Sequence, residues 1–375
     1  MVSRTEVVTW LLDGDPAIRW QTMRDLTDAP AAAVGAERLR VAVEGWGAEL
    51  LARQAADGHW NDETEHGWMT TTDALQLLRD LGADPADGKV RGAIGRVTDR
   101  ITWWQLDGRP FFDGETEACI NGRILAAGAY FGAVVDPLLE RLLAEQLEDG
   151  GWNCEAPASK RSSFHSTICV MEGLLEYEKT HGASAAVTDA RVRAEDYLLQ
   201  RRLLRSLSSG EVINRRWTSF LFPPNWQYDV LRGLDYLRRA GVKPDERVAA
   251  AVALVEQKRG DDGRWSLDGI HPDHTERRLS TWKPLSGRPA AGTPYAPSAC
   301  STGRAAERRL RRPRLPKGNT ARFGCLKRLP DSVYGLAGSL VLWKTIGHAP
   351  RFAAPVCPAP CRSRDRRGHG CGERL

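Results

Sequence analysis

A chain of 375 residues with 42% hydrophobic residues is long enough for one large domain or two ordinary ones and can bury a sizeable core. No window reaches the roughly 18 uninterrupted apolar residues of a membrane span, and the opening Met1-Val2-Ser3-Arg4 lacks the basic-then-apolar layout of a secretory signal, so a cytoplasmic location is expected. The net charge of +5 is unevenly spread: Pro284–Leu375 carries 18 Lys/Arg against 4 Asp/Glu, a balance of +14, which leaves −9 for residues 1–283.

In chain order, the first predicted element is a helix ending near Leu26, announced by Asp15-Pro16, an N-cap followed by proline at the first helical position. An apolar stretch through Leu50-Leu51 then runs into Gln54-x3-Gly58-x-Trp60, where glycine stops the helix and turns the chain. Trp68–Gly82 is a second kind of apolar helix, and its Arg79-Asp80-Leu81 echoes Arg24-Asp25-Leu26. The Cys119–Gly132 helix follows, then Leu142-Leu143 and a second turn, Gln146-x3-Gly150-x-Trp152. Phe164–His181 and Trp226–Gly241 are further helices of the second kind, and Val252–Val255 leads into a third turn, Gln257-x5-Gly263-x-Trp265. No sustained period-two alternation argues for strands. Paired helices that repeat in this way stack into a solenoid or close into a barrel, because one pair alone cannot bury its apolar face.

The three Gln-x(3–5)-Gly-x-Trp segments resemble the QW motif of the squalene-cyclase and protein-prenyltransferase superfamily, over roughly residues 5–270. That resemblance implies an all-α fold, an α/α toroid of inner and outer helix pairs, with Gln54, Trp60, Gln146, Trp152, Gln257 and Trp265 as structural staples. It also implies a central apolar cavity holding an isoprenoid or other apolar small molecule. The Asp-x-Asp-Asp acid of the cyclases is missing, and so is the Asp-Asp-x-x-Asp diphosphate site, so squalene-type cyclisation is not expected.

Aligned on their apolar residues, the starts of the second-kind helices present Asp73; Glu117, Cys119 and Arg123; His165; and Trp226, Tyr228 and Asp229, expected to converge on one cavity. Glu117-x-Cys119 and His165 resemble the Asp-x-Cys and His zinc ligands of prenyltransferase β subunits. The resemblance implies that Glu117, Cys119 and His165 bind zinc with a fourth position open. Asp73, His165 and Asp229 are the expected catalytic groups, and Arg123, Trp226 and Tyr228 the expected substrate contacts. Trp103-Trp104 and Tyr130-Phe131 are further aromatic candidates. The plainer alternatives are that the cysteines are small core residues, that His165 bonds to backbone, and that Arg123 pairs with Glu115 or Glu117. The protein as a whole is read either as a prenyltransferase- or terpene-cyclase-like enzyme or as a non-catalytic repeat scaffold that binds a lipid or a protein.

Residues 271–375 form a separate basic segment rich in Pro, Arg and Gly, holding five of the eight cysteines. Clustered arginine there suits a nucleic-acid tail, but the same bias follows from reading a GC-rich gene out of frame, so no nucleic-acid partner is expected. Disorder is expected in it, apart from a short helix over Val333–Ile346, and the helical domain is expected to be incomplete on its C-terminal side.

Overall fold

The computed structural model describes residues 3–60 and 67–270; the expectations for the basic tail lie outside the described residues. Twelve α-helices account for most of the described chain: α1 (Arg4–Leu12), α2 (Pro16–Leu26), α3 (Ala31–Leu39), α4 (Gly45–Ala52), α5 (Gly67–Leu81), α6 (Gly88–Arg100), α7 (Ala118–Phe131), α8 (Asp136–Ala144), α9 (Phe164–His181), α10 (Ala185–Gln200), α11 (Val230–Arg239) and α12 (Ala249–Gln257). Strands are limited to two-residue pairs, such as Thr102–Trp103 against Arg109–Pro110, so the all-α expectation is met. No helix of the described residues is long and apolar enough to cross a membrane.

Local chemistry sets the helix boundaries. Asp15 caps α2 by accepting the backbone N–H of Ala17 at 2.9 Å, with Pro16 in the first turn as the sequence predicts. Asp87 and Ser184 cap α6 and α10 in the same way, and Gly132, at φ 79°, ends α7 in the left-handed region.

The three predicted turns are one device used three times. In each, the indole Nε1–H donates to a carbonyl near the end of the helix before it: Trp60 to Leu50, Trp152 to Leu142, and Trp265 to Val255, at 2.7–2.8 Å. In each, the glycine four residues into the turn has positive φ, and at Gly150 a Cβ would meet the Arg193 carbonyl oxygen at 2.6 Å. The amides of Gln54 and Gln146 donate to the turn glycine's carbonyl and to the next surface helix, at Ala93 of α6 and Ala190 of α10.

The third turn departs from the sequence alignment in its register. Its backbone bond runs from Gly260 N to Arg264 O, matching Ala55 N to His59 O and Leu147 N to Gly151 O, so Arg259 stands where the other turns have glutamine. Arg259 Nε accordingly donates to the Gly263 carbonyl at 3.2 Å. Gln257 lies two residues earlier, as the last residue of α12.

Helices α2, α5, α7, α9 and α11 carry the interior contacts. Trp20 and Gln21 of α2 donate to the carbonyls of Leu81 and Asp80 of α5. Arg123 of α7 pairs with Asp73 and donates to Gln76, both on α5. Helices α7 and α9 touch backbone to backbone, since a Cβ on Gly122 would lie 2.5 Å from Cys169 C and one on Gly173 would lie 2.6 Å from Gly122 O. Glu172 and Glu176 of α9 bind Arg232 and Arg239 of α11, and Arg238 of α11 reaches Asp25 of α2 at 3.5 Å. The circuit of contacts thus returns to its start. The five helices also point the same way, because the C-terminal turns of all five line one basin of about 800 Å³ that includes Asp25, Asp80, Tyr130, Glu176 and Arg238.

Candidate metal and ligand cavity

At the other end, the starts of α5, α7 and α9 and the loop before α11 enclose a cavity of about 320 Å³. Asp73, Glu117, Cys119, Arg123, His165 and Trp226 all line it, so six residues marked out by the sequence meet in one place. Trp103 is buried elsewhere with its Nε1 on the Phe111 carbonyl, Trp104 is 66% exposed, and Tyr130 belongs to the opposite basin.

The sulfur cluster at the mouth is built by two helix starts and one repeat turn. Glu117 is the residue just before α7 and Cys119 is in its first turn. Two residues beyond Trp152, the second turn delivers Cys154, and the turn is fixed there by the Trp152 N–H on Thr167 Oγ1 of α9. Cys154 Sγ accepts the backbone N–H of Cys119 at 3.3 Å and lies 3.2 Å from Ser166 Oγ. Ser166 Oγ also accepts the Cys154 N–H, at 3.3 Å, so one hydroxyl meets both the backbone and the sulfur of Cys154.

These contacts split the two thiols. A hydrogen bond from Cys119 is the largest influence on Cys154 and lowers its pKa against the effect of burial, while the same bond and burial push Cys119 well up. The Cys119 thiol also lies 3.5 Å from Glu117 Oε2, to which it donates.

Among the described residues, the side chains gathered closely enough to share a cation are Glu117, Cys119 and Cys154, whose ligand atoms lie within 4.8 Å of one another. The expected set of Glu117, Cys119 and His165 is therefore revised in its third member. His165 lies on the same cavity, but its Nδ1 accepts the Tyr228 backbone N–H at 2.8 Å. In a neutral ring that bond puts the proton on Nε2, making that nitrogen a donor instead of a metal ligand.

Arg123 is not paired with Glu115 or Glu117: its partners are Asp73 and the Gln76 side chain. Beneath that pair, Arg232 binds Glu172 through both carboxylate oxygens and donates to the carbonyls of Asn225 and Gln227, which fixes the loop that carries Trp226. Arg79 meets the same carboxylate at 3.2 Å. Burial would raise the Glu172 carboxyl, but Arg232 and Arg79 outweigh it and hold it far below the usual range. Arg123–Asp73, Arg232–Glu172 and Arg79–Glu172 are thus buried ion pairs between the interior helices.

Tyr228 and Asp229 are not on the cavity. The Tyr228 hydroxyl donates to the Leu203 carbonyl at 2.7 Å, and burial drives its pKa well up. Asp229 caps α11 by accepting the Arg232 N–H, and burial raises its pKa to about 6.

Cys154 was missed in the sequence reading. The available signal was its place two residues after the second motif tryptophan, in a region with only two other cysteines, Cys119 and Cys169. No protein-family model, curated protein or solved structure matches this chain.

Proposed function

We propose that the described helices form an α/α toroid of the squalene-cyclase and prenyltransferase kind, and that its N-terminal mouth binds a zinc ion and presents it to a small-molecule ligand. For the toroid, the support is five parallel helices whose side-chain contacts return from α11 to α2, with surface helices tied in by the Gln54 and Gln146 amides.

The observation that carries the metal is the Glu117–Cys119–Cys154 cluster. Two sulfurs at about 2.3 Å from one zinc are at most about 4.6 Å apart, close to the 4.8 Å within which these ligand atoms already lie. Thiolates select soft cations such as zinc over magnesium or calcium. A zinc ion held by three protein ligands lowers the pKa of a water or thiol in its fourth position.

The chain's own groups set what sits beside it. Ile120 and Trp226 supply an apolar wall, while Asn153, Ser163 and Asn225 are polar. The buried Arg123–Asp73 pair stands on the cavity wall, and the cavity's volume of about 320 Å³ suits a small molecule. The lining therefore favours a short ligand with one polar or coordinating end over the extended isoprenoid implied by the resemblance.

The test is cobalt or zinc titration of purified, reduced protein. One equivalent is expected to bind, with the sulfur-to-cobalt charge-transfer absorption of two thiolates, and Cys154→Ser should reduce both. Unchanged absorption in Cys154→Ser, or no metal bound by the parent protein, overturns the proposal. A full equivalent of metal with no ligand turnover would assign the cavity to a binding scaffold.

A further inference from the structure

We infer that Cys119 and Cys154 are also a two-electron redox pair, which a hydroperoxide oxidises to a disulfide when no metal is bound. The metal consequence drawn below rests on the proposed zinc site; the sulfur chemistry does not.

The two sulfurs lie within 4.8 Å, and Cys154 Sγ is 3.3 Å from the backbone nitrogen of Cys119 itself. Closing them to the ~2.05 Å of an S–S bond calls for movement of two side chains that start with one sulfur already against the other residue's backbone nitrogen. Both sulfurs face the cavity, through which a small peroxide can enter. Cys169, the other described cysteine, is removed from this chemistry: it is fully buried, with its sulfur on the Trp226 carbonyl and 3.7 Å from Arg232 Nη2.

The steps balance. Cys154, the more exposed of the pair, attacks the peroxide O–O bond; its sulfur keeps one oxygen as a sulfenic acid, and the other leaves as water or, from an organic peroxide, as an alcohol. Cys119 then displaces the sulfenic hydroxyl as a second water and forms the S–S bond. Two thiols lose two electrons and two protons, and one hydrogen peroxide becomes two waters. The disulfide consumes two of the three proposed metal ligands, so the oxidised mouth releases zinc and the reduced mouth takes it up.

The experiment uses the full chain, stripped of metal by a chelator and treated with one equivalent of hydrogen peroxide. After alkylation and tryptic digestion, the peptide bearing Cys119 is expected to be joined to the one bearing Cys154. Cys119→Ser should instead yield a Cys154 sulfenic acid that dimedone traps. Zinc uptake by the oxidised protein should fall by about ten-fold or more and return on reduction.

Recovery of both cysteines unlinked, or linkage of either to another cysteine, overturns the inference. Should Cys119→Ser fail to fold, the linked peptide from the unsubstituted protein decides alone. A disulfide that forms in a protein unable to bind zinc would sink only the metal reading. Zinc binding without a Cys119–Cys154 disulfide would sink only this one.

Discussion

The outer turns and the interior are held together on opposite principles. Outside, a neutral device is repeated three times: an indole N–H on a helix-end carbonyl and a glycine in a left-handed turn, at Trp60, Trp152 and Trp265. Inside, the ion pairs between helices differ from one another: Arg123–Asp73, Arg79–Glu172–Arg232 and Arg239–Glu176 are each a different geometry. The repeated device tolerates exchange, as Arg259 in place of glutamine shows. Buried ion pairs do not, because each charge depends on one partner.

The contrast predicts unequal costs. The largest is expected for Glu172→Gln, which strips the counter-charge from Arg232 and Arg79 and should cost about 3–5 kcal/mol in denaturant unfolding. A cost no greater than that of a turn substitution would erase the distinction.

Next is Asp229, whose burial raises its pKa to about 6 from an ordinary 3.8. The folded state then holds this proton more tightly than the unfolded one, so the contribution is full below about pH 4 and is lost as pH rises through 6, on the order of 3 kcal/mol in all. Asp229→Asn keeps a capping oxygen and should remove that falling component; the parent-minus-variant difference in stability across pH 4 to 7 is the readout.

On the outer turns the effects shrink. Gly150→Ala is expected to cost about 2–3 kcal/mol, combining a left-handed residue with a collision at a backbone carbonyl. Gly263→Ala, which meets only side-chain atoms at 3.1 Å or more, should cost about 1 kcal/mol. Trp152→Phe should lose about 1–2 kcal/mol through the unpaired Leu142 carbonyl. Smallest of all, Gln146→Ala should cost about 1 kcal/mol, whereas Gln257→Ala, outside the motif register, should stay within about 0.5 kcal/mol. Thermal melts of the two alanine variants side by side would expose a wrong register.

What was legible in the sequence follows the same divide. The turns were visible because glycine and tryptophan each have one dominant reason to stand there, and the cavity residues Asp73, Glu117, Cys119, Arg123, His165 and Trp226 were visible because each lies on or just before a helix of one kind. A glutamine-based motif does not reach Arg259, although the backbone bond shared by the three turns is indifferent to side chain. Cys154 was overlooked because it comes from a turn, which helix alignment does not sample. The buried ion pairs were invisible because their partners are far apart in sequence: Arg79 and Glu172 are 93 residues apart and only the fold joins them. His165 was assigned to metal because sequence cannot show that Tyr228 reaches its ring.

The glycine seam between α7 and α9 has a mechanical consequence. With Gly122 and Gly173 leaving no side chain between the two backbones, sliding one helix along the other would drive main chain into main chain. Cys119 and Ser166, borne on opposite sides of that seam, are therefore kept at constant spacing whether or not anything occupies the mouth. On the proposed metal reading, Cys119 would be the fixed jaw of the site, standing on this packed helix pair, and Cys154, carried by a turn, the jaw that adjusts to the ion.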